Sequence, residues 1–88
     1  MIEFSIAEAH VLSAACRAFK STMATDNQRG RSELEQLSTR LLQTGRLNSF
    51  GTDFTLLKLA LKNYRKTVQS PADLTIIDNL IVRFKDRC

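Results

Sequence analysis

The chain has 88 residues, 43% of them hydrophobic and 25% charged, with 3 Gly, 1 Pro and a net charge of +4. That length buries about 60–65% of the surface the unfolded chain exposes, enough for a single domain over residues 1–88 but not for a two-domain cleft or a large cofactor cradle. The composition excludes collagen-like, low-complexity and disordered classes, and no apolar run reaches the about 18 residues that span a bilayer, so no membrane insertion is expected.

The N-terminal Met1-Ile2-Glu3-Phe4 carries neither the basic nor the apolar region of a secretory signal, which places the expectation in the cytoplasm. Ser5-Ile6-Ala7-Glu8 then reads as a capping box with Phe4 as its staple residue. Behind it Ala9, Leu12, Cys16, Phe19 and Met23 recur at helical spacing, predicting a first helix over about residues 5–25. The polar stretch from Thr25 to Gly30 ends it. Ser32 with Glu35 is read as the start of a second helix over 32–44, with Leu34, Leu37 and Leu41 on one face and Gly45 as its stop.

Thr52 and Asp53 open a third helix, over 53–68, in which Phe54, Leu57, Leu61, Tyr64 and Val68 face the core. Ser70-Pro71 supplies the N-cap and first residue of a fourth, over 71–87, carrying Leu74, Ile77, Ile81, Phe84 and Cys88. No segment alternates with period 2 for long enough to make a strand, so the fold class is all-α.

The two halves resemble each other. A shift of 45 lays Leu12, Ala15 and Thr22 on identical Leu57, Ala60 and Thr67, and pairs Arg17 with Lys62, Phe19 with Tyr64 and Lys20 with Arg65. A shift of 40 lays Leu34, Leu37 and Leu41 on Leu74, Ile77 and Ile81. The expected architecture is a compact four-helix bundle of two similar αα-hairpins.

Chemistry-bearing groups are sparse. His10 is the single histidine and falls on a polar arc with Ser13 and Arg17. One histidine and two distant cysteines cannot make a zinc site. Cys16 points to the core and Cys88 is the last residue, so no Cys–His nucleophile forms. The three glycines make no phosphate loop, and the acidic residues sit mostly near helix starts, where the macrodipole accounts for them. A helix-turn-helix about Gly45 fails because Arg46 stands where an apolar residue belongs and the connection runs on to Gly51. The expectation is therefore a protein that is not an enzyme and takes no cofactor and no metal.

Two surfaces stand out instead. Ala7, Val11, Ala14 and Ala18 form a second seam on the first helix, where small residues at heptad spacing admit another helix. Lys58, Lys62, Arg65 and Lys66 form a cationic stripe, assigned to the side of the third helix away from its core face, with Arg83 and Arg87 nearby if the last two helices pair. Other cations, Lys85 included, sit near helix ends and complement the macrodipole there.

The seam points to a small helical protein-interaction module: an adaptor, an inhibitor, or an immunity or regulatory protein of the kind mobile elements carry. It would bind a partner protein or a second copy as a homodimer. The stripe supports the alternative, a basic accessory or regulatory protein that binds nucleic acid through anion contacts.

Overall fold

Local chemistry at residues 5–8 starts the first helix as its sequence requires. In the computed structural model, which describes residues 2–23, 25–47 and 52–86, the Ser5 hydroxyl accepts from the Glu8 N–H at 3.2 Å while the Glu8 carboxylate accepts from the Ser5 N–H at 2.8 Å. Both halves of the capping box are thus formed. Helix α1 runs Ile6–Thr22, α2 Gln28–Thr44, α3 Thr52–Thr67 and α4 Pro71–Asp86. No helix among the described residues is long and apolar enough to cross a membrane.

Two boundaries differ from the sequence expectation. Helix α1 stops at Thr22, with Met23 as its C-cap, so Thr25 already lies in a turn. Helix α2 begins four residues before the expected Ser32, because Asn27 caps it, its side-chain oxygen accepting from the Gly30 N–H at 3.3 Å. An Arg29–Glu33 pair at 3.5 Å supports that added turn. Ser32 therefore sits inside the helix, and Glu35 reaches Lys20 of α1 instead of a backbone cap. Arg87 and Cys88 lie outside the described residues.

A short antiparallel pair is also present. β1 (Ile2–Glu3) lies beside β2 (Arg46–Leu47), with Ile2 opposite Leu47 and Glu3 opposite Arg46. Two residues per strand are too few for a period to register in the sequence. Ile2 and Leu47 are buried, and Glu3 and Arg46 form an ion pair at 3.4 Å on the outside. Between β2 and α2 the chain turns at Gly45, in the left-handed conformation with φ 64°. Its carbonyl accepts from the Phe4 N–H at 2.7 Å, and a Cβ there would stand 3.2 Å from the Phe4 carbonyl oxygen. Glycine meets both demands.

The four helices share one core, with α1 touching each of the other three. Leu12, Ala15 and Cys16 of α1 are fully buried against leucines of α2 and α3 and against Ile77 and Leu80 of α4. Phe84 packs edge-on against Phe54 at 5.2 Å between ring centroids and against Phe4 at 6.0 Å. Phe4 thus contributes to the core across the molecule.

The halves correspond in their burial pattern. Leu12, Ala15 and Cys16 are as buried as their counterparts Leu57, Ala60 and Leu61, all with no exposed area. For the second helices, burial selects a shift of 43 in place of 40. It lays Leu34, Leu37 and Leu41 on Ile77, Leu80 and Phe84, each at most 2% exposed, whereas Leu74 and Ile81 are only half-buried. The same register matches two ion pairs. Lys20 reaches Glu35 at 3.1 Å in one hairpin, and its counterpart Arg65 reaches Asp78 at 2.6 Å in the other.

Candidate docking groove between α3 and α4

One difference between the hairpins decides what each can do. In the first, Ser13 and Ser38 meet where the helices approach, and their hydroxyls share a hydrogen bond although both residues are buried. Two small side chains that satisfy each other let α1 and α2 approach closely at this point. By the register above, the second hairpin has Lys58 in place of Ser13 and Ile81 in place of Ser38. These side chains are bulkier, and α3 and α4 pack less extensively on one another than α1 and α2 do.

The result is an open groove of about 400 Å³ lined by Lys58, Leu61, Lys62, Ile81, Phe84 and Lys85. Leu61 and Phe84 form a buried apolar floor, Ile81 is half-buried, and Lys62 and Lys85 are exposed on opposite walls. The Lys58 ammonium lies over the Phe54 ring, 4.9 Å from its centroid. Among the described residues neither Lys62 nor Lys85 has a carboxylate partner. Among the described residues, none of those that line the groove is acidic. Apolar Leu59 and Val82, 49% and 60% exposed, each stand three residues before a groove lysine, on the outer flanks of the two helices.

The stripe expected at Lys58, Lys62, Arg65 and Lys66 is therefore divided. Lys58 and Lys62 lie on the flank of α3 that faces α4, not on the side opposite the core. Arg65 is engaged by Asp78, whose hydrogen bond and charge hold the guanidinium above its usual range. Lys66 is exposed but does not line the groove. Lys85, accounted for in the sequence by its place near a helix end, completes the opposite wall. Arg83 turns toward α1, donating to the Glu8 carboxylate at 2.9 Å and the Glu3 carbonyl at 3.4 Å.

The seam on α1 is also divided. Ala7 is exposed and Ala14 and Ala18 are half-buried, but Val11 is 7% exposed and belongs to the core. Two large apolar side chains that the sequence did not single out, Ile6 and Leu42, are 81% and 42% exposed, and both border a shallow pocket between the start of α1 and the end of α2.

A second depression, of about 430 Å³, runs between α1 and α2 past Cys16, Arg17, Lys20, Arg31 and Glu35. It carries a carboxylate of its own, Glu35, held by Lys20, and Arg31 reaches the Met23 carbonyl at 3.4 Å. That makes it a poorer receptor than the α3–α4 groove. Cys16 is fully buried, and burial pushes its thiol up to about 12, far from the reactive range. His10 is exposed on α1. Among the described residues no His, Cys, Asp and Glu side chains gather into a set that could hold a metal ion.

Comparison with models of known protein families, with curated proteins and with solved structures found no match to this chain.

Proposed function

We propose that this protein is a small, non-enzymatic helical interaction module whose docking surface is the α3–α4 face. The observation that carries the reading is the groove itself, an apolar floor of Leu61, Ile81 and Phe84 under exposed Lys62 and Lys85, flanked by exposed Leu59 and Val82. Apolar anchoring positions inside a polar rim are the usual anatomy of a protein-binding site. The Ala7, Ala14 and Ala18 face is a weaker candidate because Val11, its central larger residue, is taken into the protein's own core.

Affinity capture from the source cell's lysate tests this, using the wild-type chain and a Leu59→Asp/Val82→Asp variant, with and without nuclease. The expected result is a protein retained by wild type regardless of nuclease and lost by the variant. Capture that survives the double substitution, or that disappears with nuclease, overturns it.

The second reading, nucleic-acid binding, draws support from the same three lysines together with exposed Lys66. It predicts affinity that falls with log salt at a slope of about −0.9 per phosphate neutralised on duplex DNA. The absence of any DNA or RNA binding at low salt removes it.

A further inference from the structure

Charge, shape and backbone chemistry narrow what the groove accepts. The two walls carry cations facing one another across an apolar floor: Lys58 and Lys62 on α3, Lys85 on α4. A ligand that fits must present apolar bulk in its middle and negative charge along both edges. A nucleic-acid backbone offers charge without the apolar bulk and would leave half-buried Ile81 uncovered. Both walls are helices, whose backbone groups are mostly paired internally. An extended segment would therefore find few partners for its own N–H and C=O groups, whereas a helix arrives with them satisfied.

We propose that the α3–α4 groove receives an acidic amphipathic helix of a partner protein. Bulky apolar side chains on one stripe of that helix enter over Leu61, Ile81 and Phe84, and its flanking Asp or Glu residues meet Lys62 on one wall and Lys85 on the other. This rests on the protein-binding reading above and specifies the partner's chemistry.

The test uses the full chain as immobilised target for a displayed library of Ala-based helical peptides randomised on one face. The expected winners carry Asp or Glu on both sides of a stripe of Leu, Ile or Phe. Their affinity should drop about tenfold for Lys62→Glu/Lys85→Glu and recover when the peptide acids are changed to Lys, which also shows that the variant is folded. Winners without acidic flanks, no winners at all, or binding indifferent to the charge reversal overturns the proposal. A duplex DNA arm and sedimentation of the chain alone cover the other occupants: binding by DNA but not by peptide, or a dimer that the same charge reversal dissolves, also overturns it. If the peptide arm fails while nuclease-resistant capture is still abolished by Leu59→Asp/Val82→Asp, the face binds protein of different chemistry. If both fail, the protein-binding reading falls as well.

Discussion

Arg83 of α4 donates to one oxygen of the Glu8 carboxylate at 2.9 Å while the other oxygen accepts from the Ser5 N–H. A residue whose local task is to cap α1 therefore also ties the start of the chain to its last helix, 75 positions away. Glu8→Ala loses both interactions, and a decrease of about 1–3 kcal/mol is expected from the cap and the charge-assisted bond together. That corresponds to a Tm lower by roughly 4 °C or more for a chain of this size. Arg83→Ala loses only the tie. The double variant should cost less than the sum of the two singles, which a double-mutant cycle by denaturant melts checks directly.

Removing one of the paired buried hydroxyls should be worse than removing both. Ser13→Ala leaves the Ser38 hydroxyl buried without a partner, at a cost of about 1–3 kcal/mol. Ser13→Ala/Ser38→Ala removes the need for a partner and should recover most of that loss. Urea unfolding of the three variants tests this, and a double variant less stable than both singles would contradict it.

Gly45→Ala places a side chain on a left-handed backbone and brings a Cβ to 3.2 Å from the Phe4 carbonyl. The conformational cost alone is about 1–2 kcal/mol. Gly45→Asn, which visits this region more readily, should lose less. Thermal melts that rank glycine, asparagine and alanine in that order would confirm that conformation controls this corner.

Cys16 gives a signature in alkaline solution. Its folded value of about 12 exceeds the ordinary 9.0, so above pH 9 the unfolded chain releases a proton that the folded chain keeps. The stabilising contribution is full below pH 9 and is lost as pH rises toward 12, with a slope of at most about 1.4 kcal/mol per pH unit. Urea melts across that range for a Cys88→Ser chain and its Cys16→Ala derivative should differ in slope, with the Cys16 chain falling more steeply. In the native Cys88→Ser chain, a thiol reagent at pH 8 should react only as fast as the protein opens.

The features legible in the sequence are those with local causes. Ser5 with Glu8, Gly45, and Ser70 with Pro71 each mark a helix end through contacts within a few residues, and each end falls where the sequence places it. The start of α2 was obscured because two capping signals compete there, and Asn27 prevails over Ser32 by adding a full turn with its own Arg29–Glu33 pair. The lysines were visible as a cluster, but a helical wheel gives an angle without naming the neighbour. It could not show that Lys62 faces α4, or that Lys85 stands across from it. Val11 was misplaced for a related reason: on a helix that touches three others, a flank beside the main stripe is interior as well.

The serine pair also bears on how the molecule folds and fluctuates. Helices α1 and α2 pack more extensively on one another than α3 and α4 do, so their hairpin is expected to open last. The α3–α4 hairpin, whose helices pack less extensively on one another, should be the first unit to loosen. Amide exchange would then divide the chain into a slow half and a fast half despite their similar sequences, with the groove in the fast half. A ligand bound there would slow exchange throughout α3 and α4, stabilising the part of the fold that the closed hairpin does not hold.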